Sequence, residues 1–256
     1  MTWIKICGLT RPQDAVVVNQ VRPDFVGFVF APDSRRRLTV EQAVELRAAI
    51  DPAVASVGVF RDAAAESIAE LFERGVIGWA QLHGQESAAF IVRLRLLAPV
   101  PVIKAVSVRD LASVTWPPAV LDRPAARPAQ LGDSPADSPT DPTPPPTDPA
   151  FPADCLLFDH GPGGTGRSFD LGLIDQARAL GRLPRRPFFI AGGVGLDNLA
   201  DVLRRRPDGV DVSSGAETDR RKDPEKIRRL VDLVRAEPAG DGVTARAESP
   251  GDSVTG

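Results

Sequence analysis

The chain has 256 residues, 43% of them hydrophobic, enough to bury one large core; a single α/β barrel uses about 250 residues. Lysine and arginine number 31 against 34 aspartates and glutamates. The formal net charge of -3 gives no general attraction to nucleic acid and leaves Arg35-Arg36-Arg37 and Arg204-Arg205-Arg206 as local features. No stretch approaches the roughly 20 apolar residues that span a bilayer, and the chain opens on a strand without a charged-then-apolar leader, so a cytoplasmic protein is expected, with no membrane or nucleic-acid partner.

In chain order, short β-branched runs alternate with segments of helical spacing. The runs are residues 3–7, Phe25 to Phe30, Ala55 to Phe60, Gly78 to Leu82, Val100 to Ala105, Cys155 to Asp159, Pro187 to Ala191 and Gly209 to Val212, each predicted to be a strand buried on both faces. Between them, Val40 to Ile50 carries Val40, Ala43, Val44, Leu46 and Ile50 at helical spacing, and Ala63 to Arg74 carries Ile68, Leu71 and Phe72. Further helices are expected over 108–114 and near 170–180, 196–205 and 223–236. Eight strands and about eight helices in alternation imply parallel pairing, and predict a (β/α)8 TIM barrel in one domain over residues 1–236.

Two stretches break the pattern. From Asp122 to Asp154 the chain has ten prolines and almost no bulky apolar residue, too little apolar surface to offset the entropy of ordering. A disordered insert is expected there, on the barrel's bottom face before the sixth strand. A second disordered segment is expected over the C-terminal tail, residues 237–256.

Barrel enzymes place their chemistry at the C-terminal rim of the strands. Cys7 ends the first strand and Asp159 the sixth, which suggests an acid and a base at one rim. Cys155 begins its strand four residues before Asp159, an offset of about 13 Å from the rim at ~3.3 Å per residue. Cys7 and Cys155 are therefore expected as free thiols, with Cys155 in the core. The turns Gly163-Gly164-Thr165-Gly166, Gly192-Gly193 and Ser213-Ser214-Gly215 follow strands six, seven and eight. Small residues let backbone N–H groups close on an anion, so Gly164, Thr165, Gly166, Gly192, Gly193, Ser213, Ser214 and Gly215 are the expected phosphate site. Lys5 faces the same side as Cys7, inside the barrel, where an unpaired charge is costly; Asp211 is a candidate partner. His83 is read as a wall of the site or a structural hydrogen-bonder, and His160 is given no role.

The segments Lys5-Ile6-Cys7-Gly8-Leu9-Thr10, Gln81-Leu82-His83-Gly84, Gly163-Gly164-Thr165-Gly166 and Gly209 to Glu217 resemble those of the phosphoribosylanthranilate isomerases of tryptophan biosynthesis. The resemblance runs from residue 3 to about residue 236 and is interrupted by the proline-rich insert. It implies an Amadori rearrangement of a phosphorylated sugar-anthranilate substrate, with no cofactor and no metal. Asp159 and Cys7 are then the acid and base, Arg36 holds the anthranilate carboxylate, and His83 and Asp211 are further substrate contacts. Arg35 and Arg37 stand where a proline and an aromatic residue are expected, which leaves the choice among the three arginines open; the outer two are read as a solvated basic loop. A carboxylic acid near 3.9 and a thiol near 8.5 both need help from their surroundings at neutral pH. For Cys7, Lys5 or the cationic iminium is the expected source, lowering the thiol's pKa. Two other readings stay open. One is a different phosphosugar barrel enzyme, an aldolase or a synthase, using Lys104 as a Schiff-base lysine. The other is a non-catalytic scaffold whose insert binds a partner. Monomer and homodimer are both open, as is acceptance of the related histidine-pathway substrate.

Overall fold

Parallel strands covered on both faces read as continuous apolar runs, and the eight runs become eight parallel strands that close on one another. In this computed structural model, residues 1–108, 152–159, 170–184 and 186–236 are described. Their order is β1 (Trp3–Cys7), α1 (Pro12–Val21), β2 (Phe25–Val29), α2 (Val40–Ala49), β3 (Ala55–Phe60), α3 (Ala65–Glu73), β4 (Trp79–Leu82), α4 (Ala88–Leu97), β5 (Val102–Ser107), β6 (Cys155–Asp159), α5 (Gly172–Ala179), β7 (Phe188–Ile190), α6 (Leu199–Arg204) and β8 (Gly209–Val212). A short hairpin, β9 (Glu217–Thr218) and β10 (Arg221–Lys222), then precedes α7 (Pro224–Ala236). Closure is made by β1, which pairs with β2 on one side and β8 on the other, setting Lys5 opposite Asp211. The architecture is the expected (β/α)8 TIM barrel.

Helix starts follow local chemistry. Thr39 accepts from the backbone of Gln42 while the Gln42 side chain accepts from the Thr39 backbone, a reciprocal cap for α2. Asp14 accepts from the backbones of Thr10 and Arg11 and fixes the loop between β1 and α1.

Side-chain alternation divides the core into layers. Ile4, Ile6, Val26, Phe28, Leu156, Phe158 and Val210 point outward and pack under helix residues such as Val18, Leu46, Ile68 and Leu230. Inside the barrel, Phe25, Val57, Ile103, Cys155, Leu157 and Phe189 pack with Trp3 and Trp79 in a lower layer. The Phe25 ring meets Trp3, Trp79 and Phe189 edge-on at centroid distances of 6.2, 5.9 and 5.6 Å. Cys7 belongs to a separate cluster with Val29, Ala31 and Val59. The two cysteines thus sit in different layers as free, buried thiols, as expected.

Two local features depart from the pattern of apolar runs. Strand β5 starts at Val102 and runs to Ser107, two residues beyond the apolar run on which it was placed. Pro101 has no N–H for the ladder, and the Val102 N–H goes to the Asp154 carboxylate. The β9–β10 hairpin is an addition. Its turn residues Asp219 and Arg220 both adopt positive φ, 49° and 63°, without a glycine to announce them. The expected helix beyond residue 108, His160, Gly163 to Gly166, most of the 122–154 insert and the tail from 237 lie outside the described residues. Among the described residues no helix is long and apolar enough to cross a membrane.

Candidate active site

Strand β1 sets the first group. Its inward residues are Trp3, Lys5 and Cys7, and the register with β8 brings Lys5 Nζ to 3.0 Å from Asp211 Oδ1. Lys5 is wholly buried. Burial disfavours its ammonium, but the Asp211 carboxylate and the Cys7 sulfur outweigh this and hold its pKa above the ordinary value. The acidic partner expected for Lys5 is therefore Asp211. Burial pushes the Cys7 thiol up; Lys5 opposes this, Asp211 reinforces it, and the net shift is upward. The expectation that Lys5 brings the thiol below its ordinary value is thus corrected: desolvation of the thiolate is the larger effect. Space for the sulfur comes from Gly27 on β2, where a Cβ would lie 2.6 Å from Cys7 Sγ.

Asp159, half-buried at the end of β6, faces the same cleft as Cys7. His83 Nε2 lies 3.2 Å from Asp159 Oδ2, and the other ring nitrogen, Nδ1, lies 3.0 Å from Gln81 Nε2. An amide of Gln81 donating to Nδ1 would leave Nε2 as the ring nitrogen that donates to Asp159. His83 is thus both a wall of the cleft and a direct partner of the candidate acid.

The cleft, about 330 Å³, is lined by Cys7, Arg36, His83, Asp159 and Asp211 together with Gly192, Gly193, Ser213 and Ser214. Gly192 and Gly193 take consecutive φ values of 77° and 78°, a left-handed pair that suits glycine. Asn198 pins this turn, donating to the Gly193 carbonyl and accepting from the Gly195 N–H. Ser213 Oγ donates to the Cys7 carbonyl, so the turn after β8 is tied to the strand that carries the thiol. Gly215 is not on the cleft wall. It lets the β7 and β8 loops touch, since a Cβ there would lie 2.0 Å from the Val194 carbonyl oxygen. Gly164, Thr165 and Gly166 lie outside the described residues.

Arg36 reaches the cleft from the loop after β2. That loop is held by the Leu38 N–H donating to the Val29 carbonyl, and Gly8 clears its path: a Cβ on Gly8 would lie 2.4 Å from Arg36 Cδ. Arg36 Nε and Nη2 donate to Glu217 Oε1 and Oε2 at 2.6 and 3.1 Å. Arg35 and Lys222 also donate to the Glu217 carboxylate. Burial alone would raise the Glu217 pKa, but hydrogen bonds from Arg36, Lys222 and Arg35 lower it to about 2. The solvated reading of the two outer arginines holds for Arg37, which is exposed and off the cleft. Arg35 is also exposed, with 42% of its side chain open to solvent, but it lines the cleft and is bonded to Glu217. In sequence, Glu217 stands only at the end of the Gly209 to Glu217 motif, and nothing there points to Lys222.

Lys104 does not support the Schiff-base alternative. It is the third residue of β5 and faces outward, toward the helix layer. Its Nζ donates to the carbonyls of Leu82 and Gly84 and to Glu86, using all three ammonium protons away from the cleft.

A sequence model of the N-(5'-phosphoribosyl)anthranilate isomerase family matches residues 4–118 and 148–233, leaving out a stretch within and just before the proline-rich segment. The N-(5'-phosphoribosyl)anthranilate isomerase of Endomicrobium trichonymphae is 34% identical over 241 residues, covering 92% of this chain and 100% of that protein. The crystal structure of the Thermus thermophilus phosphoribosylanthranilate isomerase superposes with a TM-score of 0.67 at 32% identity, covering 91% of this chain and 98% of the other. A phosphoribosylanthranilate isomerase in complex with reduced 1-(o-carboxyphenylamino)-1-deoxyribulose 5-phosphate superposes with a TM-score of 0.65 at 27% identity, covering 92% and 99%. With the family match running through β1, β6 and β8, which carry Cys7, Asp159 and Asp211, this chain belongs to the N-(5'-phosphoribosyl)anthranilate isomerase family.

Proposed function

We infer that the chain catalyses the Amadori rearrangement of N-(5'-phosphoribosyl)anthranilate to 1-(o-carboxyphenylamino)-1-deoxyribulose 5-phosphate in tryptophan biosynthesis, with Asp159 as general acid and Cys7 as general base. The observation that carries this reading is the convergence of Cys7 and Asp159, from strands β1 and β6, on one cleft that also holds the glycine and serine turns after β7 and β8.

Asp159 delivers a proton to the furanose ring oxygen. The bond from that oxygen to the anomeric carbon breaks with its electron pair going to oxygen, and the nitrogen lone pair forms the iminium. The Cys7 thiolate then removes the proton from the neighbouring carbon, and that C–H pair neutralises the iminium to give an enolamine. Proton return to the former anomeric carbon and loss of the enol proton give the ketone, so no atom is gained or lost. Burial raises the thiol's pKa in the free enzyme, and the same burial makes the thiolate a stronger base when the cationic iminium and Lys5 offset its charge. His83 orients Asp159 through its 3.2 Å contact. Gly192, Gly193, Ser213 and Ser214, with Gly164, Thr165 and Gly166 by sequence, hold the phosphate. Arg36 holds the ring carboxylate, so the sugar is fixed from both ends between acid and base.

The test is loss of anthranilate-type fluorescence from freshly made N-(5'-phosphoribosyl)anthranilate, with Cys7→Ala and Asp159→Asn as comparisons. Each variant is expected to lose about two or more orders of magnitude in turnover. Near-normal decay in either would discard that residue's role, and decay no faster than the uncatalysed background in the parent protein would discard the activity.

A further inference from the structure

The Glu217 carboxylate is a junction between two loops that meet only in the folded barrel. Its side chain is 6% exposed, and it takes Nε and Nη2 of Arg36, Nη2 of Arg35 and Nζ of Lys222. Arg35 and Arg36 come from the loop after β2, while Glu217 and Lys222 face each other across the β9–β10 hairpin. A guanidinium carries five N–H donors on a rigid planar fork. Glu217 occupies the edge formed by Nε and Nη2, which leaves the terminal edge, Nη1 with the second proton of Nη2, for an anion in the cleft. Three cations around one carboxylate also leave a surplus of positive charge at this end of the site. The nearby carboxylates do not cancel it, because Asp33 is paired with Arg61 and Asp211 with Lys5.

We propose that Glu217 is a positioning residue that sets the enzyme's preference for a substrate bearing a ring carboxylate, by holding Arg36 so that its terminal edge faces the cleft. The proposal rests on Arg36 as the carboxylate-binding residue. Glu217 itself touches no reacting atom. Its removal frees Arg36 to turn and lets the three cations repel one another, which weakens the grip on the carboxylate; Cys7 feels the change only through Lys222, whose charge favours the thiolate.

The test compares the anthranilate adduct with the N-(5'-phosphoribosyl)aniline adduct, which lacks the carboxylate, following product by chromatography in the parent protein, Glu217→Gln and Arg36→Met. Glu217→Gln is expected to lose on the order of tenfold to a hundredfold in kcat/KM for the anthranilate adduct, the worth of a hydrogen bond to a charged group. The loss should lie in KM for the anthranilate adduct, with kcat/KM for the aniline adduct not reduced, and Arg36→Met should erase the same preference. Equal losses on both substrates in Glu217→Gln would overturn the proposal and mark Glu217 as merely structural. Loss of preference in Arg36→Met alone would overturn it while keeping Arg36 as the carboxylate's partner, and retained preference in Arg36→Met would overturn both. Should Glu217→Gln not fold, Glu217→Asp keeps the charge, withdraws it by one methylene, and should show the same selective loss in smaller measure.

Discussion

Replacing Asp211 with asparagine isolates the Lys5 ammonium inside the barrel. Lys5 is fully buried and its salt-bridge partner is 3.0 Å away, itself 8% exposed, so the substitution leaves an ammonium with neither water nor a counter-ion. Removing one partner of such a buried pair costs about 3–5 kcal/mol. A second estimate agrees: if Lys5 instead sheds its proton at pH 7, a lysine of ordinary pKa near 10.4 must give it up at a cost of about 4–5 kcal/mol. The two routes diverge from the parent protein in their pH dependence. In the parent, Lys5 has a raised pKa. Its contribution to stability is therefore fully present below the unfolded-chain value near 10.4 and is lost only as the pH climbs through the folded value. In the variant the unfolded chain holds a proton that the folded barrel disfavours, so the variant gains stability as the pH rises. The gap between the two proteins should accordingly narrow by about 4 kcal/mol between pH 7 and pH 10, where shedding the proton costs only about 0.5 kcal/mol. Urea unfolding at several pH values, in a Cys7→Ala background that removes the neighbouring thiol's own ionisation, measures the gap directly. A gap that stays constant across this range would refute the account of Lys5 as a buried charge stabilised by Asp211.

Three further outcomes follow from the site. Because burial raises the Cys7 pKa, the residual kcat/KM of Asp159→Asn, in which the acid no longer titrates, should climb about tenfold per pH unit from neutrality past the ordinary thiol value of about 8.5, and a plateau below pH 8 would contradict Cys7 as the free enzyme's base. Gly215→Ala places a Cβ 2.0 Å from the Val194 carbonyl oxygen, so the β7 and β8 loops must part; KM should rise by about tenfold or more and the unfolding midpoint should fall, and unchanged values would deny the close approach. Replacing residues 119–147, which the family match leaves out, with a short glycine-serine linker should keep turnover within about twofold, and a larger loss would give the insert a part in catalysis.

Much of this was legible in the chain because a barrel turns strand order into position. Cys7 and Asp159 could be placed at one rim from their strand ends alone, and alternation set Lys5 on the same side as Cys7, which made an acidic partner necessary. What was not legible depended on which face a residue takes and on distant closure. In strands apolar on both faces, nothing in the pattern distinguishes inward from outward, so Lys104 looked available for chemistry when it in fact points into the helix layer at Glu86. Glu217 was missed because it becomes a partner of Arg36, 181 residues away, only after a hairpin whose Asp219-Arg220 turn lacks the usual glycine signal. The depression of the Cys7 pKa expected from Lys5 failed for a related reason. Proximity of a cation can be read from spacing, whereas the depth of burial that outweighs it cannot.

The layer of aromatic rings beneath the site has a spectroscopic consequence. Trp3 and Trp79 both belong to that lower layer, packed on Phe25, while Cys7, Arg36 and the turns after β7 and β8 occupy the opposite mouth of the barrel. Of the chain's three tryptophans, Trp116 alone lies outside the described residues. In a Trp116→Phe background, intrinsic emission therefore comes from the foot of the barrel and responds to its melting. Occupancy of the mouth has to be read from the ligand's own chromophore, so the two signals can be followed in one cuvette as separate reporters of folding and binding.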